Sequence, residues 1–141
     1  MSMTKIFDVA GSALNAQMVR MNLSASNLAN ATTAASKPED AFKAKRAVFR
    51  TMLDEQTTNS NSKYGGGVRV DKIIDDQALA PRIHEPSHPQ ADKDGYVYKS
   101  NVNEVTETIE MMAAARSFQS NVEVVSTARE LMLKTIDMIK G

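Results

Sequence analysis

Cysteine and tryptophan are absent from this 141-residue sequence, and aromatic residues of all kinds make up only 5% of it. Without cysteine there is neither a disulfide framework nor a thiolate metal site. So few aromatic side chains argue against a large aromatic-rich core around a ligand pocket. A charge excess is missing too. The 17 Lys and Arg balance 17 Asp and Glu, which removes the electrostatic signature of a nucleic-acid or anionic-membrane partner. No run approaches the ~18 consecutive apolar residues of a bilayer span, so direct membrane insertion is not expected. Residues 1–8 lack the basic, apolar, small-residue order of a cleavable secretory signal.

What the sequence does contain is concentrated in residues 101–141, where there is no proline and no glycine before Gly141. Apolar residues recur at Val105, Ile109, Met112, Ala115, Phe118, Val122, Val125, Ala128, Met132, Ile136 and Ile139, always three or four apart. That spacing predicts an α-helix with one apolar stripe. Glu104, Glu107 and Glu110 stand near its start and Arg129, Lys134 and Lys140 towards its end, as the helix dipole favours. Asn101 and Glu104 have the spacing of a capping pair, with Asn103 as an alternative cap. At about 1.5 Å per residue the helix would reach roughly 55–60 Å, too long for a small domain to cover, so the stripe needs a partner.

Residues 3–31 predict a second helix. Phe7, Leu14, Met21 and Leu28 are seven apart, with Ala10, Met18 and Ala25 between them, a heptad-like seam. The seam is dilute, with Gly11, Ser12, Gln17, Ser24 and Ser26 on or beside it. Such a helix is marginal alone and draws its stability from packing. Its small residues permit close approach, and Asn15, Asn22, Asn27 and Asn30 can bridge to neighbours, so it suits several helical partners.

Between the helices the chain breaks at residues 32–40, then shows weak alternation over 41–49, which predicts a strand. Residues 51–63 are polar and without periodicity and read as an exposed loop. Gly65, Gly66 and Gly67 precede an alternating strand over 68–73, and a proline-rich turn region over 83–95 leads to a short strand at 96–98. The expected fold is therefore mainly α. Long N- and C-terminal helices (1–31 and 101–141) pair as a coiled-coil-like hairpin, with a small loop-rich β segment (32–100) between them.

One stretch mimics catalytic chemistry. His84-Glu85-Pro86-Ser87-His88 matches the H-E-x-x-H zinc signature, which requires both histidines one helical turn apart. Pro86 inside the motif and Pro89 after it disfavour a helix, so a zinc hydrolase here is disfavoured and the segment reads as a turn. Asp92-Lys93-Asp94-Gly95 lacks the remaining ligands of a calcium loop and reads as a turn closed by a glycine of positive φ. The three glycines at 65–67 lack the lysine and helix start of a phosphate loop, and the nine methionines read as helix packing. Catalytic, metal and cofactor residues are all expected to be absent, and the chain is not expected to be an enzyme.

The runs Ser12-Ala13-Leu14-Asn15-Ala16-Gln17, Asn22 and Ser24-Ala25-Ser26-Asn27-Leu28-Ala29-Asn30-Ala31 resemble the N-terminal signature of the bacterial flagellar rod and hook family. Arg116-Ser117-Phe118-Gln119-Ser120-Asn121 and the segment from Thr127-Ala128-Arg129 to Lys134-Thr135 resemble its C-terminal signature. Pro86-Ser87-His88-Pro89, Gly95-Tyr96-Val97-Tyr98 and Asn101-Val102-Asn103 are similar to the proximal-rod members. The resemblance implies a structural subunit of a hollow periplasmic drive shaft in the flagellar basal body, which transmits torque and conducts exported subunits. It implies export by the flagellar type III apparatus without a cleavable signal. The implied partners are further copies, other rod proteins and a basal adaptor protein of the membrane ring.

On this reading the N-terminal helix assembles through Phe7, Ala10, Leu14, Met18, Met21, Ala25, Asn27, Leu28 and Asn30. The C-terminal helix does so through Asn101, Asn103, Val105, Ile109, Met112, Phe118, Gln119, Asn121, Val122, Val125, Met132, Ile136 and Ile139. A secreted coiled-coil needle or translocator component is the alternative.

Overall fold

A computed structural model of the chain describes residues 3–52 and 66–140. Helix α1 (Met3–Ala29) and helix α2 (Glu104–Lys140) enclose five strands in sequence: β1 (Ala34–Ala35), β2 (Lys45–Met52), β3 (Gly67–Asp75), β4 (Arg82–His84) and β5 (Tyr96–Lys99). β2 and β3 form an antiparallel ribbon, while β1, β5 and β4 form a small antiparallel sheet in that order. The ribbon register shifts between Val48, opposite Lys72, and Phe49, opposite Val70. Asp71 is thus the extra residue of a bulge, which bends and twists the ribbon.

The most extensive contact is between α1 and α2, and the ribbon packs on α1 through both strands. The helices are antiparallel: Asn27, near the end of α1, meets Glu107, near the start of α2, while the earlier Arg20 meets the later Glu110. The fully buried apolar residues of the two helices are the alanines Ala10, Ala16, Ala114 and Ala128. In α2 the inward positions are buried Glu107, Ala114 and Ala128 with half-buried Met111, Phe118, Asn121 and Val125.

Polar side chains from distant parts of the chain tie the layers together. Asn27 accepts from the Lys45 backbone N–H (2.8 Å) and donates to the Lys45 carbonyl (3.0 Å), pairing with the start of β2 as a neighbouring strand would. Its amide also donates to Glu107 Oε2 at 3.1 Å. Glu107 is fully buried, and Arg46 Nη1 from β2 stands 2.8 Å from its Oε1. Asn101 accepts from the Ala44 N–H (2.7 Å) and donates to the Ala78 carbonyl (2.9 Å). The Ser12 hydroxyl accepts from the Val68 N–H at 3.1 Å and so fixes the start of β3 on α1.

Several boundaries move for physical reasons. The strand expected over 41–49 runs from 45 to 52, because the Ala44 N–H is taken by the Asn101 side chain rather than by a strand. Thr51 and Met52, expected in a loop, end β2, while 53–63 lie outside the described residues. Asn103, not Asn101, caps α2: its Oδ1 accepts the Thr106 N–H at 3.0 Å. β1 and β4, of two and three residues, carry no periodicity of their own and exist by pairing with β5. The 92–95 turn does close on a glycine of positive φ (77°), with Asp92 Oδ1 accepting from the Asp94 and Tyr96 N–H groups.

Two substitutions test these ties by urea unfolding. Asn27→Ala strips partners from a buried backbone donor and from a buried carboxylate and lowers stability by roughly 2–4 kcal/mol. Gly95→Ala places a Cβ 3.1 Å from His84 Nε2 and Pro86 Cγ at positive φ and costs about 1–3 kcal/mol. An unchanged midpoint in Asn27→Ala would show that the buried ties do not hold the layers together.

Candidate assembly interface

The apolar stripe of residues 105–139 does not follow one face of α2. It covers 34 residues in ten steps, and at about 100° per residue its end lies roughly 160° around the helix from its start. The structure divides it accordingly. Phe118, Val125 and Ala128 lie on the side turned to α1. Val105, Ile109 and Met112 lie roughly 140–200° around from Glu107, on the far side, and are 70%, 60% and 68% exposed.

A second apolar patch arises from a difference in length. α1 has 27 residues and α2 has 37. With Asn27 opposite Glu107, the start of α1 at Met3 falls level with about residue 131, so residues 132–140 project roughly 14 Å beyond it. Met132, Ile136 and Ile139 continue the α1-facing side of α2 into this overhang and are exposed, as are Leu131, Leu133 and Met138. α2 therefore carries two apolar patches, one on the outer side of its first half and one around its free end.

On α1, Asp8, Gly11, Asn15, Met18, Asn22, Ala25 and Ala29 form an exposed stripe of small and polar side chains around Met18. Of the expected assembly residues, Met18 and Ala25 lie on this stripe; Phe7, Leu14, Met21, Leu28 and Asn30 are half-buried; Ala10 and Asn27 are buried. On the C-terminal side Asn103, Gln119 and Val122 are exposed together with the two apolar patches, whereas Asn101, Phe118, Asn121 and Val125 are half-buried. Asn27 and Asn101 are occupied inside the chain by the hydrogen bonds already described. Leu131, Leu133 and Met138 belong to the exposed set but fall off the 105–139 series, and only the length of α1 reveals them. Glu107, Ala114, Asn121 and Ala128 are seven apart, a seam of which the apolar series contains only Ala128, since Glu107 and Asn121 are polar.

A groove of about 190 Å³ lies where α1, β2 and α2 meet, lined by Arg20, Leu23, Ser24, Lys45, Arg46, Ala47, Phe49 and Glu110. Its charges are paired: Arg20 with Glu110 at 2.6 Å, Lys45 with Asp75 at 3.3 Å and Arg46 with Glu107.

The H-E-x-x-H segment is not helical. His84 ends β4, with its ring centroid 4.9 Å from that of Tyr96, whose ring also carries the Arg82 guanidinium at 3.6 Å. Glu85 pairs with Lys99 at 3.0 Å, and His88 Nδ1 accepts the Gln90 N–H at 3.0 Å. Among the described residues no three His, Asp or Glu side chains gather as a ligand set.

Residues 93–138 match the family described as the flagellar basal body rod FlgEFG protein C-terminal region. The chain is 44% identical over 138 residues to the flagellar basal-body rod protein FlgC of Yersinia enterocolitica and 41% identical to that of Salmonella typhimurium. In both cases 98% of each chain is covered. It is 31% identical to the FlgC of Bacillus subtilis, over 94% of this chain and 95% of the relative.

The two sides of α2 respond differently to charge. Ile109→Asp changes the stability of the isolated chain by no more than about 0.5 kcal/mol, as expected at an exposed site. Ala114→Asp, at a fully buried position, costs roughly 3–5 kcal/mol by burying an unpaired carboxylate. Equal losses in thermal or urea unfolding would overturn this division of the helix.

Proposed function

Since the chain belongs to the family of flagellar basal-body rod proteins FlgC, we propose that the two apolar patches of α2 are the surfaces through which it joins the rod. It is a structural subunit of the basal-body rod and not an enzyme. The observation that carries the proposal is the exposure of Val105, Ile109 and Met112 on one patch and of Ile136, Met138 and Ile139 on the other, side chains that an isolated subunit leaves in water. Burying a large apolar side chain contributes about 1.5–3 kcal/mol. Several together can offset the entropic cost of association.

Within the subunit, α1 and α2 pair as a coiled-coil-like hairpin. Glu107, Met111, Ala114, Phe118, Asn121, Val125 and Ala128 alternate steps of four and three, which supports that pairing, and the polar Glu107 and Asn121 in such a seam specify register. Residues 1–31 and 101–141 form the axial helical part, and 32–100 form the module facing outward or between subunits. Patches on different parts of one helix make head-to-tail contacts, which propagate as an open helical filament. Further copies, other rod proteins and a basal adaptor of the membrane ring are the partners. The assembled tube crosses the periplasm, transmits torque and conducts exported subunits. The alanine-lined, marginal hairpin suits passage through the type III export apparatus before order is completed by assembly.

Val122→Asp and Ile109→Asp block rod formation while the chain is still exported; basal bodies with intact rods and normal swimming in both variants would refute the assembly reading. Leu14→Asp, at a half-buried site, also blocks rod formation without stopping export. His84→Ala and His88→Ala leave motility unchanged, and zinc-reversible loss of motility in either would restore a metal role to the 84–88 segment.

A further inference from the structure

We infer that Met112 and Met138 are sites of reversible oxidation to methionine sulfoxide, and that their oxidation blocks association of the subunit. The second half of this inference rests on the assembly reading above. With no cysteine in the chain, a two-electron oxidant such as hydrogen peroxide meets methionine as the soft, oxidisable sulfur. Among the described large hydrophobic residues Met112 and Met138 are 68% and 76% exposed, well above Met18, Met52 and Met132 at 42–46%. Both lie on the side of α2 turned away from α1, roughly 140° to either side of Glu107. Met111, the sequence neighbour of Met112, is half-buried on the α1-facing side, so two adjacent thioethers of one helix differ in access to solvent.

In the reaction the peroxide O–O bond breaks and one oxygen bonds to the thioether sulfur. The sulfur loses two electrons, and the second oxygen leaves as water. The product replaces a flexible apolar tip by a strong hydrogen-bond acceptor. An acceptor carried into an apolar contact without a donor weakens that contact by roughly tenfold or more. Restoration needs a methionine sulfoxide reductase. A dithiol alone has no disulfide to act upon in this chain.

The test treats the full-length chain with graded hydrogen peroxide, follows each methionine by peptide mass spectrometry, and measures concentration-dependent association by sedimentation. Among the methionines from Met18 onward, sulfoxide is expected first at Met138 and Met112, several-fold faster than at Met111. Association is expected to fall in step and to return after reductase treatment. The variant Met112→Leu/Met138→Leu keeps the apolar patches, because the volume and helix preference of leucine match those of methionine. Whatever its association before peroxide, the level is expected to be held at peroxide doses that oxidise Met112 and Met138 in the unsubstituted chain. Equal oxidation rates at Met111 and Met112 overturn the site assignment. Undiminished association of the oxidised chain, or equal loss in the double-leucine variant, overturns the blocking effect. A chain that fails to associate even before peroxide overturns the assembly reading itself, an outcome separate from these because oxidation rates are read independently of association.

Discussion

A buried carboxylate holds this fold in register. Glu107 is fully enclosed, and a charge in that position is tolerated only with partners that compensate for lost hydration. The partners come from two other elements: Arg46 from β2, 2.8 Å from one oxygen, and Asn27 from α1, 3.1 Å from the other. Because Asn27 also bonds both backbone groups of Lys45, a one-turn slip of α1 would strand the carboxylate and the backbone of β2 together, and a slip of α2 would strand the carboxylate. Asn101 closes the same junction from the other side, through Ala44 and Ala78.

The overhang of α2 follows from that register. Once Asn27 and Glu107 are opposite, the length of each helix decides where pairing stops, and α2 is longer by ten residues (37 against 27). The apolar face that meets α1 therefore continues without a partner. The same antiparallel packing leaves Val105, Ile109 and Met112 on the outer side. These surfaces are consequences of where the helices lock rather than of local sequence.

The packing between the helices has a matching economy. Alanine at the buried positions lets the backbones come close but removes little apolar area from water. Burial of the exposed apolar side chains on the outer faces of the hairpin would add to that small area. That balance suits a chain whose final packing is completed by its neighbours, and the paired charges of the groove tie the helices to the ribbon.

The helices were legible from apolar residues three, four and seven apart, and α2 also from the absence of proline and glycine, all of which act locally. The β2–β3 ribbon was legible from alternation, though not its boundaries, because Asn27 and Asn101 replace strand partners at its entrance. The non-helical character of the 84–88 segment followed from Pro86 within it and Pro89 after it. The membership of the terminal signatures in the rod family was likewise visible in the residues. What tertiary structure alone decided is which part of the long stripe is spent inside the subunit and which is left free. A series of three- and four-residue steps averaging 3.4 winds around a helix of 3.6 residues per turn. Which face it offers at each level depends on where the antiparallel partner lies and where that partner ends, and no local pattern encodes either.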